Sequence, residues 1–120
     1  MSDIVRHGVT QRWSDAVMHQ HTAYFVEVPD DPAKTPGEQF AMVLQQVDSR
    51  LQQVGSDRTR LLQVLIYLPD PADLAEFNRQ WDAWVPTGHA PSRACVHTPL
   101  AAPGYRVELV ITAAIANAKG

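Results

Sequence analysis

The chain has 120 residues, of which 45% are hydrophobic and 19% charged, and its formal net charge is −3. This composition predicts a soluble protein with one globular domain spanning residues 1–120, and it excludes an intrinsically disordered chain. Lysines and arginines do not cluster, so neither nucleic acid nor an anionic membrane is indicated as a partner. One cysteine cannot form an internal disulfide, and no apolar run approaches the ~18 residues of a membrane span. The N-terminal segment MSDIVRHGVTQRW lacks the apolar core of a signal peptide, so a cytoplasmic location is expected.

The first part of the chain is predicted to form three strands. A short strand covers residues 3–9, and residues 13–28 form two strands around a turn near residues 19–21. The second of these two, TAYFVEV, is rich in the aromatic and β-branched residues that strands favour. Prolines and aspartates in residues 29–37 then indicate a loop.

A helix is predicted to follow this loop. Thr35 suits the N-cap, Pro36 suits the first helical position, and Glu38 completes a capping box with Thr35. Gly55 suits the C-terminal stop. Apolar residues at three- and four-residue spacing make one buried stripe, namely Phe40, Val43, Leu44, Val47, Leu51 and Val54.

The second half of the chain is predicted to form a strand, a helix and two further strands. Residues 60–70 make a strongly apolar strand that suits the centre of a sheet. Asp70 and Pro71 begin a second helix, with Asp73 in its first turn, and Pro86 ends it. The buried face of this helix is predicted to consist of Leu74, Phe77, Trp81 and Trp84. The segments SRACVHTPL and YRVELVITAAIA form the last two strands.

This order of elements predicts an α+β fold in which two helices cover one face of a six-stranded sheet. Residues 61–68 nevertheless carry apolar side chains on both faces of their strand. The face without helices needs another partner, and a second copy of the chain is the simplest one. We therefore expect a homo-oligomer, and the alternative is a loop folded over that face.

Arg93 stands directly before Ala94, Cys95 and Val96, where a strand begins. An arginine there must reach solvent, pair with an acid of its own chain, or bind an anionic ligand. A structural ion pair is the commoner role. Ligands often bind at the mouth of a strand, however, and a guanidinium presents a planar fork that suits a carboxylate.

Glu108 is the second candidate, in the segment YRVELVITAA. Strand alternation places it on one face with Val110 and Thr112. A carboxylate in so apolar a strand is either paired or functional. If the last two strands are neighbours, Glu108 approaches Arg93 and can pair with it, whereas the functional interpretation is a carboxylate that holds or activates a water.

Other reactive residue types carry weaker signals. Cys95 is expected to be a small buried hydrophobe rather than a nucleophile, although His97 shares its strand face. His19 and His21 lack the further ligands of a metal site, so no metal centre is predicted. Trp13 precedes a strand and is either an edge of the core or an aromatic wall of a pocket.

Three segments of the chain carry a pattern that resembles a known family. They are FNRQWDAW, then GHAPSRACV, then PLAAPGYRVELVITAA. An aromatic–asparagine helix, an arginine-x-cysteine strand start and a late valine–glutamate strand resemble the Rid family of reactive-intermediate deaminases, also called the YjgF family. The element order matches over nearly the whole chain, and RWSDAV near the N-terminus is similar to the YoaB-like branch.

The resemblance implies a mixed six-stranded sheet of the Bacillus-type chorismate mutase fold. It also implies a homotrimer whose sheets form a central barrel, with a cleft at each subunit interface. The implied activity is hydrolysis of 2-imino and enamine acids, such as those derived from 2-aminoacrylate, to 2-keto acids and ammonia. No cofactor and no metal is implied.

The resemblance also assigns roles to individual residues. Arg93 would bind the substrate carboxylate, and Glu108 would hold the reacting water. Cys95 would line the cleft with its backbone, Asn78 corresponds to the helix asparagine, and Trp13 corresponds to an aromatic that is usually tyrosine.

One departure from the family pattern falls in the third predicted strand. The stretch that often reads Ser-Gly is Val26-Glu27 here, so a hydroxyl donor is lost and a carboxylate is added beside the cleft. This departure bears on the substrate range. It slightly favours a second hypothesis, a non-catalytic binder of small carboxylates or keto acids with a regulatory role. A third hypothesis, RNA cleavage or inhibition of translation, is disfavoured by the acidic net charge and the lack of a basic patch.

Overall fold

A computed structural model describes residues 3–116 of the chain. The strands are β1 (Ile4–His7), β2 (Ala16–His19), β3 (Thr22–Glu27), β4 (Leu61–Tyr67), β5 (Ser92–Val96) and β6 (Glu108–Ala114). The helices are α1 (Pro36–Gln53) and α2 (Leu74–Trp84), with short 3-10 turns at Arg58–Arg60 and Pro71–Asp73. The predicted order of strands and helices is confirmed. The second helix differs in detail, because Asp70 and Pro71 begin a 3-10 turn and the α-helix starts only at Leu74.

The strands form one mixed sheet in the order β1-β2-β3-β6-β4-β5. All neighbours are antiparallel except β4 and β5, which are parallel because α2 carries the chain back between them. The possibility that the last two strands are neighbours is therefore wrong. The antiparallel strand β6 lies between β3 and β4, and β4 separates it from β5.

Helix α1 begins as the sequence predicts. The Thr35 side chain accepts from the backbone N–H of Glu38, and the Glu38 carboxylate accepts from the backbone N–H and hydroxyl of Thr35 at 3.0 Å each. The hydrogen bond from the Thr35 backbone is the main reason that the pKa of Glu38 lies below its ordinary value of 4.5. The capping box thus fixes where the loop ends and the helix starts.

Replacing Thr35 by alanine is expected to lower the free energy of unfolding by about 1 kcal/mol at neutral pH, since the N-cap hydroxyl is lost. A carboxyl with a lowered folded-state pKa stabilises above its unfolded pKa and loses that contribution as pH falls through the folded value. The difference between wild type and Thr35→Ala should therefore shrink below pH 4.5. Urea unfolding at a series of pH values measures it. An equal difference at neutral and strongly acidic pH would show that the Thr35 hydroxyl does not stabilise the ionised Glu38 carboxylate.

The core lies between the two helices and one face of the sheet. All six predicted stripe residues of α1 are buried, and Phe40 meets Phe77 of α2 edge to face at 5.4 Å. Trp81 and Trp84 are 5% and 8% exposed, which confirms them as core residues. This packing fixes α2 against the sheet and so fixes the side chains that α2 presents to β5.

The opposite face of the sheet carries no helix of the described chain. Alternation along the strands places Tyr24, Val26 and Val96 on this uncovered face, where they are 47%, 52% and 44% exposed. Val110 and Leu65 lie between them in the central strands and are half-buried. Among residues 3–116, no helix is long and apolar enough to cross a membrane.

Candidate functional site

A cleft of about 690 Å³ lies at the end of the sheet where β3 ends and β6 begins. We call it the Trp13 cleft. Its lining is Trp13, Ser14, Asp15, Val26, Glu27, Val28, Asp30, Arg50, Ala101 and Glu108. Four of the predicted site residues, Trp13, Val26, Glu27 and Glu108, therefore lie together. The structure brings them to one place from three separate segments of the chain.

Glu108 is the first residue of β6 and lies opposite Tyr67 of β4 on the uncovered face. Its side chain is half-buried, and it makes no hydrogen bond or ion pair with any other residue of the described range 3–116. Leaving a carboxylate without a partner in a partly apolar setting costs free energy, so a structural role does not explain it. The arrangement suits a carboxylate that holds a water or accepts a proton.

Trp13 presents its ring at the rim of the cleft and is 61% exposed. Its backbone is fixed by Thr10, whose N–H donates to the Trp13 carbonyl at 2.7 Å and whose hydroxyl contacts the same carbonyl at 3.1 Å. The Thr10 hydroxyl also accepts from the Trp13 N–H at 3.1 Å. This tight turn holds the indole outside the core, which supports the prediction of a pocket wall over that of a core edge.

Val26 and Glu27 lie on opposite faces of β3. Val26 is exposed on the uncovered face, whereas Glu27 is only 7% exposed and points toward α1. The Glu27 carboxylate accepts from Gln46 Nε2 and from Arg50 Nε, each at 3.1 Å. Glu27 therefore adds no free charge to the cleft, because Arg50 neutralises it. Val26 leaves the adjoining wall apolar.

Arg93 lies on the helix side of the edge strand β5. Its Nη2 donates to Asn78 Oδ1 at 2.6 Å, and its guanidinium carbon lies 5.3 Å and 5.9 Å from the ring centres of Trp81 and Phe77. No acidic residue in the described chain pairs with it. Asn78 and the two rings orient the guanidinium, while the remaining N–H groups stay available for an anion.

Cys95 follows Arg93 on the same side of β5, and His97 lies just beyond the end of the strand. Cys95 is half-buried and packs against the core, as expected for a small hydrophobe. The His97 ring nitrogen Nδ1 contacts the carbonyl of Leu68 at 3.1 Å. No contact activates the thiol as a nucleophile among the described residues.

Arg93 and Glu108 do not meet within one chain. Arg93 is in register with buried Val64, whereas Glu108 is in register with Tyr67 on the other face. Two strand spacings and three residues separate their Cα atoms by about 14 Å, and their side chains leave opposite faces of the sheet. The two candidate catalytic residues thus belong to different sides of one protomer.

Polar groups in the groove between the two helices pair with each other. A groove of about 670 Å³ between α1 and α2 contains Asp48 and Arg58, but these two form a two-pronged ion pair at 2.7 Å and Trp84 Nε1 donates to Asp48 as well. The hydrogen bonds that Arg58 donates to Asp48 raise the pKa of Arg58. Among residues 3–116 no group of three potential metal ligands occurs, and His19 contacts Asp3 at 3.0 Å.

A polar network around Gln39 lies behind the site and was not predicted from the sequence. Gln39 is 1% exposed although it is a glutamine, and it contacts the backbone around Gly104 and Arg106. Its position four residues before Val43 is on the buried side of α1, which is the one signal that could have revealed it.

Comparison with known proteins agrees with this architecture. Residues 4–115 match the family described as Endoribonuclease L-PSP. The RutC family protein YoaB of Escherichia coli strain K12 is 43% identical over 112 residues, which are 93% of this chain and 98% of that protein.

Two solved structures share the fold closely. A YjgF-family member from Neisseria meningitidis is 44% identical with a TM-score of 0.91, covering 97% of this chain and 98% of that one. A protein from Salmonella typhimurium, described as a candidate translation initiation inhibitor, is 43% identical with a TM-score of 0.87. The match covers 93% of this chain and 97% of that one. The matched length, the identity and the fold together show that this chain is a member of the YjgF, or Rid, family.

Proposed function

We propose that this protein hydrolyses reactive 2-imino acids and their enamine tautomers, including those derived from 2-aminoacrylate, to 2-keto acids and ammonia. The observation that carries the proposal is the unpartnered carboxylate of Glu108 in the Trp13 cleft. A protein that only binds small anions gains nothing from a free carboxylate at its site, because the two charges repel each other. A hydrolase needs such a group to hold the attacking water and accept its proton.

The reaction depends mainly on how the protein positions the substrate and the water. Arg93 holds the substrate carboxylate with its free N–H groups and so fixes the C2 carbon. Glu108 accepts a proton from water as the oxygen bonds to C2, and the C=N double bond becomes a single bond. Glu108 returns this proton to nitrogen, which gives a carbinolamine. Glu108 then takes the hydroxyl proton and delivers it to the amino nitrogen, the C–N bond breaks, and ammonia leaves as the C=O bond of the keto acid forms. Trp13 packs against the substrate side chain, and the backbone at Cys95 lines the cleft.

A second copy of the chain is part of this proposal. Arg93 and Glu108 leave opposite faces of one protomer, so one cleft can contain both only if Arg93 of one protomer meets Glu108 of its neighbour. The uncovered apolar face supplies the surface for such an assembly. We propose a cytoplasmic homotrimer with a cleft at each subunit interface and no cofactor, whose partners are small imino and keto acids rather than nucleic acid or a membrane.

Replacing Tyr24 by aspartate is expected to dissociate the assembly, because a charge would then be buried in an apolar interface. Sedimentation velocity should give a trimer for wild type and a monomer for Tyr24→Asp. Val9→Asp is the matched control, since Val9 is 64% exposed in the loop before Trp13. A wild-type monomer at micromolar concentration would overturn the interface cleft.

Imine hydrolysis itself is tested by competition. An amino-acid oxidase generates a 2-imino acid in place, and semicarbazide traps what the protein has not hydrolysed. Wild type should divert the imine away from the trap in proportion to its concentration. If it diverts none across several side chains but binds the corresponding keto acids, the protein is a carboxylate binder. Cleavage of RNA by the purified chain would favour the third hypothesis, which the net charge of −3 disfavours.

A further inference from the structure

Arg106 joins the segment before β6 to the start of α2. Its Nη2 lies 2.8 Å from Asp73 Oδ2 and 3.2 Å from Asp70 Oδ2. The Asp73 carboxylate is 13% exposed, and its buried Oδ2 has no well-aligned hydrogen bond, so its contact with Arg106 is ionic. Asp73 is also the residue that precedes the first turn of α2. The Arg106 guanidinium therefore connects the segment before β6 to the start of α2 through two carboxylates.

Gln39 holds the same segment from α1. Its Nε2 donates to the carbonyls of Pro32 and Lys34 at 3.1 Å each and to that of Gly104 at 2.9 Å. Its Oε1 accepts from the backbone N–H of Arg106 at 2.8 Å. The two N–H groups of this amide are shared among three carbonyls, and a side chain that is 1% exposed and contacts four backbone groups fixes the backbone around it. Residues 104–106 are thus held by both helices.

The segment held in this way leads directly into the candidate catalytic residue. Val107 is fully buried, and Glu108 follows it as the first residue of β6. We propose that Arg106, with Gln39, is a positioning residue that sets where the Glu108 carboxylate stands in the Trp13 cleft. This inference rests on the proposed function, in which Glu108 handles the reacting water.

A purely stabilising role explains the arrangement less well. The pair between Arg106 and Asp70 is 33% and 48% exposed, and an ion pair this accessible contributes little to stability. The shorter contact, to the 13% exposed Asp73, fixes the segment before β6 to the start of α2. The same helix α2 also orients Arg93 through Asn78. Helix α2 and the turn before it therefore contact both candidate catalytic regions of the protomer. Asn78 orients Arg93, and Asp70 and Asp73 hold Arg106 two residues before Glu108.

Steady-state kinetics on the intact assembly test the assignment. Arg106→Gln should lower kcat for a 2-imino acid about tenfold with KM changed less than about twofold, because a small displacement of a catalytic group costs rate rather than binding. Asn78→Ala should instead raise KM. Arg79→Gln is the matched control, since Arg79 forms an exposed ion pair with Glu76 on α2 and should leave both constants unchanged. Arg106→Lys, which keeps one ionic contact, should recover part of the lost kcat.

A double substitution shows whether Arg106 acts through Glu108. In the Glu108→Gln background, adding Arg106→Gln should cause little further loss of kcat, since the group being positioned is already absent. Independent, multiplicative losses would overturn the inference while leaving the proposed function in place.

Hydrogen exchange tests the positioning role without depending on catalytic activity. Amide hydrogen exchange at residues 105–109 should speed up in Arg106→Gln and in Gln39→Leu but not in Arg79→Gln. If wild type hydrolyses no imine, the proposed function fails, and this exchange pattern still decides whether Arg106 positions the start of β6. Unchanged exchange there in Arg106→Gln would contradict the positioning role.

Discussion

Replacing Arg93 by alanine is expected to lower kcat/KM for 2-imino acids by about 10²–10³-fold, the size of loss that follows when one partner of a desolvated charge pair is removed. Arg93 is prepared for such a pair, because Asn78 and two aromatic rings orient it and no acid of the described chain neutralises it. Most of the loss should appear in KM. Semicarbazide competition with purified protein measures both constants.

The control for this prediction is Arg93→Lys, which keeps the charge but not the planar fork. It should recover only a small part of the activity, since an ammonium cannot bind a carboxylate with two parallel N–H bonds. Melting temperature and sedimentation must be compared with wild type, because the guanidinium also lies over Trp81 and Phe77. Near-wild-type kinetics in a folded Arg93→Ala assembly would show that Arg93 does not touch substrate.

Replacing Glu108 by glutamine is expected to lower kcat by about 10²–10⁴-fold, the usual range for loss of a general base. KM should change little, because the amide keeps the shape of the side chain and Glu108 does not hold the substrate carboxylate. The unpaired state of Glu108 in residues 3–116 makes the folded protein tolerant of this change. Keto-acid binding measured by calorimetry should remain.

Glu38→Gln is a suitable matched control for this carboxylate, since Glu38 lies in the capping box of α1 and outside the Trp13 cleft. It should alter stability but not kcat. Loss of keto-acid binding in Glu108→Gln together with unchanged kcat would reverse the roles assigned here to Arg93 and Glu108.

Local rules predicted most of the elements correctly. The capping box at Thr35 and the apolar stripe of α1 follow from short-range spacing, and the structure confirms both. The face on which Glu108 lies follows from strand alternation in the same way. The same rule, applied to TAYFVEV, already places Glu27 on the buried side with Ala23 and Phe25, so its pairing with α1 was within reach of the sequence.

Long-range pairing is what the sequence did not reveal. Nothing local shows that β6 inserts between β3 and β4, and the expected closeness of Arg93 and Glu108 failed for that reason. The partners made by buried Gln39 and half-buried Gln46 were missed as well, because a glutamine near an apolar stripe is usually solvated. The division of the site between two sides of the protomer became visible only with the sheet order.

Mixing two inactive variants tests the shared cleft most directly. Arg93→Ala and Glu108→Gln are unfolded together and reassembled, and imine hydrolysis is compared with that of each variant alone. If each cleft takes Arg93 from one protomer and Glu108 from the next, every mixed trimer has one intact cleft, and random mixing restores about a quarter of wild-type activity. Mixed trimers that are detected by mass spectrometry and yet show no gain over the separate variants would contradict the account.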